Sequence, residues 1–148
     1  MRHYSHRFKV LAPLESVAEF HRDSRALKQL TPPPLFVSFN TVEPLAEGSV
    51  VDFTMWLGPL PIHWVATHSE VDPIQGFTDS QTTGPYEVWI HCHSFESVDE
   101  NATNVIDQVQ AKTSNNPFWG IISNFMWLTL PVLFAYRSWQ TRRTLERK

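Results

Sequence analysis

The chain has a single cysteine, Cys92, among 148 residues. One cysteine excludes an intramolecular disulfide and cannot build a thiolate zinc site, so a reducing, cytoplasmic setting is the simpler expectation. Charge is scarce as well: only 18% of residues are Asp, Glu, Lys or Arg, the net charge is −3, and the signs are mixed except near the end of the chain. A nucleic-acid binder needs a concentrated basic face, so nucleic acid is not an expected partner. The opening Met1-Arg2-His3-Tyr4-Ser5-His6-Arg7-Phe8 lacks an apolar run, and no secretory signal is expected there. No glycine-rich phosphate loop, dinucleotide fingerprint, Ser-His-Asp order or Cys-His pair can be assembled. That disfavours nucleotide-dependent chemistry, and no cofactor is expected. Internal repeats are absent too.

What the chain does have is apolar and aromatic surface, at 42% and 13% of residues. Its length suits one domain over residues 1–148 with a substantial core. Tyr4 to Leu11 alternates as a half-buried strand. After Pro13, Leu14, Val17, Ala18 and Phe20 recur at helical spacing, and Ala26, Leu27 and Leu30 suggest a second short helix. Thr31-Pro32-Pro33-Pro34 stops it, because each proline removes a donor and disfavours helix in the residue before it.

Strand and turn chemistry follow. Strands are predicted over Leu35–Val42, Ser49–Leu57, Ile62–Val71, Gly76–Thr82, Tyr86–Ser97 and Thr103–Lys112, joined by short loops that make them antiparallel neighbours. The last segment, about 115–147, lacks strand alternation and predicts one long helix kinked at Pro131. Phe118, Ile121, Ile122, Phe125, Val132, Tyr136 and Trp139 share one face of it, yet Trp119, Trp127, Leu130 and Phe134 lie elsewhere. Such a helix is apolar over more of its circumference than one buried stripe requires.

Pro117 to Tyr136 carries no formal charge over about 20 residues, long enough to span a bilayer, and Arg137, Arg142, Arg143, Arg147 and Lys148 follow. Gly120, Ser123, Asn124, Thr129 and Pro131 lower its hydrophobicity, and its removal would strip the sheet of its only large cover. A core helix is therefore the expected reading. Contact with a membrane surface, or with a second copy in a homodimer, is the alternative use of its surplus apolar area.

The order of one strand, two short helices, six strands and a long C-terminal helix resembles the helix-grip fold of the SRPBCC superfamily, which includes START domains, pollen-allergen-like proteins, polyketide cyclases and coenzyme Q-binding proteins. The stretches that carry the resemblance are Phe8-Lys9-Val10-Leu11-Ala12-Pro13-Leu14-Glu15, Phe20-His21-Arg22-Asp23, Leu30-Thr31-Pro32-Pro33, Gly84 to Phe95, and Leu133-Phe134-Ala135-Tyr136-Arg137. The resemblance implies an α+β domain in which a seven-stranded curved antiparallel sheet wraps the C-terminal helix. It also implies a cavity between them for a hydrophobic or aromatic small molecule such as a lipid, isoprenoid, quinone or polyketide. Only some members are enzymes, so a cyclase or dehydratase using the same cavity without a cofactor is the second functional expectation.

Pairing Phe95 with Val105 sets His93 opposite Asp107 and His91 opposite Val109. Trp89, His91, His93 and Phe95 then share a face, which the resemblance turns inward. A carboxylate beside an imidazole holds its tautomer and supports acid–base work, so His93 and Asp107 are the candidate catalytic pair. Pairing Leu57 with Ile62 brings Phe53, Met55 and Trp64 to the same pocket or core. Phe77 and Asp79 share a face of their strand, and Phe125 and Tyr136 would close the pocket from the helix. His91-x-His93 is also a metal-ligand spacing and, with Gly84 and Glu96, resembles the first cupin motif. The spacings differ by a residue or so and no second motif with its histidine follows, so no metal is expected.

Overall fold

The computed structural model describes residues 1–146. In chain order the elements are β1 (Arg2–Val10), α1 (Leu14–Arg22), α2 (Ala26–Gln29), β2 (Phe36–Val42), β3 (Val50–Leu57), β4 (Leu60–Asp72), β5 (Gly76–Thr83), β6 (Tyr86–Asp99), β7 (Ala102–Thr113), α3 (Pro117–Leu128) and α4 (Leu130–Leu145). Every strand joins one antiparallel sheet in the order β1-β7-β6-β5-β4-β3-β2. From β2 to β7 the chain is a meander, and α1 with α2 carries it from one sheet edge to the other. This is the expected α+β helix-grip arrangement.

Side-chain alternation and turn geometry fix the register. Along β6 the predicted pairs Phe95–Val105, His93–Asp107 and His91–Val109 are all present. At the β3–β4 hairpin the prediction is corrected. Leu57 pairs with Leu60 rather than Ile62, so Met55 faces Ile62 and Phe53 faces Trp64. Gly58 adopts φ +59, which permits a two-residue turn of Gly58-Pro59 instead of the four-residue loop expected. The slip is two residues, an even number, so Phe53, Met55 and Trp64 keep their common face.

Burial on the inner sheet face and the helices falls into two clusters. One gathers Val37, Phe53, Trp64, Trp89, Val109, Leu130 and Phe134; the other gathers Phe8, Val10, Val17, Ala18, Phe77, Phe95 and Val105. Phe134 is fully buried, stacked on Tyr4 at 5.4 Å and edge-on to His91 at 5.6 Å.

The C-terminal helix departs from expectation in two ways. It is two helices, bent by 51° at Thr129, and residue 147, where the predicted helix ended, lies outside the described residues along with Lys148. The break precedes Pro131 because proline lacks a donor and its ring clashes with a carbonyl four residues back, so it is accommodated only in a first turn. Thr129 closes α3 by donating its hydroxyl to the carbonyls of Phe125 and Met126, and Asn116 Oδ1 opens it by accepting from the Phe118 and Trp119 amides. The buried face is also not the predicted one. Ser123, Leu130, Phe134, Ser138 and Thr141 point inward, while Phe118, Ile121, Phe125, Leu128, Val132 and Trp139 are at least half exposed. Among the described residues no single helix is long and apolar enough to cross a membrane; the bent pair passes by length and composition only together.

Candidate functional site

A cavity of about 410 Å³ lies between sheet and helices, within the range of roughly 300–1,000 Å³ usual for small-molecule sites. Its floor comes from alternate residues of four adjacent strands: Phe53 and Met55 on β3, Trp64, Ala66 and His68 on β4, Phe77 and Asp79 on β5, and Trp89, His91 and His93 on β6. Met126, Leu130, Leu133 and Arg137 roof it, and His21, Leu27, Leu30 and the prolines Pro32 to Pro34 close one side. Phe125 and Val132 line it while staying 53% and 67% exposed, which puts them at its rim.

Eight of the predicted ligand-site residues thus line the cavity wall, and Phe125 its rim. Three predicted positions are corrected. Phe95 is packed in the second core cluster, against His21 at 4.8 Å, and does not reach the cavity. Tyr136 packs at a tilt against Trp139, 5.9 Å between ring centres, and accepts a hydrogen bond from Gln140, while Arg137 lines the cavity instead. Asp107 sits behind the lining, reaching it through His91.

The polar end of the cavity is a four-residue cluster. His91 Nε2 donates to Asp107 Oδ1 at 2.8 Å, and His93 Nε2 donates to Asp79 Oδ2 at 2.6 Å. The predicted pairing of His93 with Asp107 therefore holds in register but not in hydrogen bonding: the nearest approach is 3.6 Å, from Nδ1. His91 and His93 stack face to face at 3.8 Å, and Phe77 stacks on the other side of His93 at 4.3 Å. Gly76 makes this possible. With φ +138 it lets β5 approach β6 so closely that a Cβ would run into the His93 carbonyl.

Burial and its neighbours set the charges. Burial would raise both carboxyls, but hydrogen bonds from the imidazoles and nearby positive charge outweigh it, holding Asp79 and Asp107 down at about 2. Burial, with the neighbouring His91, pushes His93 below its ordinary value against the pull of Asp79. His21, whose Nδ1–H donates to the Val17 carbonyl at 2.8 Å, is lowered to about 4, chiefly by burial.

Several polar lining groups were not anticipated, among them His68, Tyr86, Arg137 and His21. His68, on the Trp64 face of β4 and bonded to Ser49 Oγ at 2.9 Å, was readable from alternation. Tyr86 was not: a bulge between Tyr86 and Val88 reverses the parity of β6, turning Tyr86 to the side of Trp89. Its hydroxyl is the buried side-chain polar atom left without a hydrogen-bond partner among the described residues, and burial pushes its pKa up. Arg137 places its guanidinium 5.4 Å from the Phe134 ring centre and donates weakly to the Leu30 carbonyl at 3.4 Å. Among the described residues no carboxylate forms an ion pair with it. His21, on α1, lay outside the strand pattern altogether.

No protein-family model and no curated protein matches the chain. Solved structures do. The Zhui aromatase/cyclase from Streptomyces sp. R1128 superposes with a TM-score of 0.69 at 17% identity, covering 97% of this chain and 95% of that one. A START superfamily protein from Mycobacterium smegmatis gives 0.68 at 10% identity, covering 97% of both. A nucleoside-diphosphate sugar epimerase from Corynebacterium glutamicum gives 0.71 at 28% identity over 97% of this chain, which spans only 29% of the length of that protein. These likenesses establish an SRPBCC-type, START-like fold.

Proposed function

We propose that the protein binds a hydrophobic, ring-containing small molecule between sheet and helices, and that this molecule carries hydrogen-bond acceptors. The observation that carries this reading is the cavity itself: aromatic over Phe53, Trp64, Trp89 and Phe77, and polar at a few fixed points. Each 100 Å² of apolar ligand surface removed from water contributes about 2.5 kcal/mol. Arg137, which forms no ion pair with a carboxylate among the described residues, is a donor available to a ligand oxygen, and the buried, unpartnered Tyr86 OH becomes one where the ligand displaces the ring packing around it. Quinones, polyketides and isoprenoid or lipid head groups all offer such oxygens. Native mass spectrometry of the purified protein, followed by solvent extraction, tests it. A stoichiometric apolar passenger supports the reading; an empty spectrum after incubation with quinone, sterol, fatty-acid and aromatic polyketide panels overturns it.

The cluster of two imidazoles and two carboxylates favours a second reading, acid–base catalysis of a cyclisation or dehydration on the same ligand. His93 is reachable from the cavity, and when its ring takes a proton from the ligand, ionised Asp79, bonded to it at 2.6 Å, stabilises the imidazolium that forms. The aromatase/cyclase likeness in fold adds to this reading without deciding it. If His93→Ala or Asp107→Ala removes turnover of a polyketide-like substrate while binding persists, the enzyme reading stands. The exposed apolar rim around Phe125 and Val132 supports loading of the cavity from a membrane surface, which flotation with liposomes tests directly.

A further inference from the structure

The polar end of the cavity holds a donor set that hydrogen bonding does not exhaust. Asp79, His91 and His93 each present one ligand-type atom, and these atoms lie within 4.8 Å of one another. Asp107 decides which nitrogens are involved. It stands on the far side of both rings, 2.8 Å from His91 Nε2 and 3.6 Å from His93 Nδ1. The remaining nitrogens, His91 Nδ1 and His93 Nε2, therefore turn toward Asp79 Oδ2, at 3.9 and 2.6 Å. An outer carboxylate that takes the distal N–H of a ligating imidazole is a recurrent feature of protein metal sites, where it fixes the tautomer and raises ligand basicity.

We propose that Asp79 Oδ2, His91 Nδ1 and His93 Nε2 form a three-ligand site for a divalent transition-metal ion such as zinc, oriented by Asp107 and open to the cavity. Two histidines and a carboxylate with a free position make up the composition of catalytic sites rather than closed structural ones. In a tetrahedral site with bonds of about 2.1 Å, donors stand roughly 3.4 Å apart. The 2.6 Å separation must open and the 3.9 Å one close, each by less than about an ångström, and the two imidazole nitrogens, which lie within 4.8 Å of each other, must converge by no more than about 1.4 Å, which side-chain torsions supply. His93 then carries its proton on Nδ1, facing Asp107, and no proton need leave the cluster. The composition favours the ion too, since two carboxylates, Asp79 and Asp107, flank the stacked imidazoles at 2.6–3.9 Å. The free coordination position faces the space where the ligand's oxygen would lie, so the ion could polarise a carbonyl as a Lewis acid.

This goes beyond the ligand reading and is tested without any organic ligand. Tag-free protein is stripped with chelator, dialysed against Zn²⁺ or Co²⁺, and analysed for metal content. The expected result is one ion per chain and, for cobalt, visible bands of a low-coordinate nitrogen and oxygen site. Asp79→Asn should abolish both, Asp107→Asn should weaken affinity roughly 10–100-fold at unchanged stoichiometry, and His63→Ala should change nothing, since His63 pairs with Asp52 on the surface. Should Asp79→Asn unfold, zinc titration of wild-type protein followed by imidazole ¹⁵N shifts answers the same question: His91 and His93 move and His63 does not. Substoichiometric uptake, or a His91–His93 pair blind to zinc, overturns the site. Such an outcome leaves the cavity's ligand binding to be judged by the passenger experiment alone.

Discussion

The two ends of the cavity solve opposite problems. At the aromatic end, Phe53, Trp64, Trp89 and Tyr86 pack ring against ring at 4.8–6.1 Å, and the buried Tyr86 OH among them has no hydrogen-bond partner among the described residues. At the histidine end, each of the two imidazoles has a hydrogen-bonded carboxylate and each carboxylate has an imidazole. One end is adaptable apolar area awaiting a partner; the other is held in place before any ligand arrives. Affinity is expected from the first and orientation or chemistry from the second, a division of labour common in small-molecule sites.

The largest expected effect comes from removing the wall the two ends share. Phe134 is fully buried, packs in the aromatic cluster and touches His91. Phe134→Ala should cost about 3–5 kcal/mol in urea unfolding, and a loss below about 1 kcal/mol would mean that the helix does not hold the two ends together. Next comes pH. His21 has a folded value lowered to about 4 against an ordinary 6.5, so the unfolded chain binds the extra proton between those values. Stability is then full above about pH 6.5 and falls as pH drops toward 4, by about 2 kcal/mol once solvent in the cavity is allowed for. Unfolding curves at pH 7 and pH 4.5 measure it, and His21→Gln should flatten the slope; an equal slope in the variant would move the effect to His68 or His93.

How much of this was legible in sequence follows from which forces act locally. Strand alternation and turn residues gave the seven strands and the His91–Val109 and His93–Asp107 register, because the period of two and short loops leave few alternatives. The fourth member of the polar cluster, Asp79, was recognised as a pocket candidate, but its bond to His93 depends on how far β5 slides along β6, which is a property of the whole sheet. The helix was misread for a different reason. Periodicity puts Phe118, Ile121, Phe125 and Val132 on one face, but all four are at least half exposed, and Phe125 and Val132 reach the cavity at its rim. A sequence so short of charge cannot say which apolar face the sheet takes, and past the bend before Pro131 it is Arg137 rather than Tyr136 that lines the cavity.

Tyr86→Phe sharpens the contrast between the ends at a smaller scale. Removing an unpartnered buried hydroxyl should leave stability unchanged or raise it by up to about 1 kcal/mol. The same change should cost roughly 5–10-fold in affinity for a ligand whose oxygen accepts from that hydroxyl, and nothing for the deoxygenated analogue. Titrating 1,4-naphthoquinone and naphthalene against both proteins reads the difference. The same preference for naphthoquinone over naphthalene in both proteins would place the ligand's oxygen at the histidine end instead.

The smallest stability effect is expected where the inner walls give way to the outer helix face. Leu128 and Val132 are 75% and 67% exposed, so Leu128→Ser with Val132→Ser removes little buried area and should change unfolding free energy by no more than about 0.5 kcal/mol per site. The use proposed for this apolar face is contact with a membrane surface. The double variant should therefore keep its fold while losing flotation with phosphatidylcholine vesicles. If the wild type floats and the variant floats equally well, the apolar rim is not the contact; if the variant unfolds instead, the face belongs to the core after all and the inward and outward sides of the helix are less different than their exposure indicates.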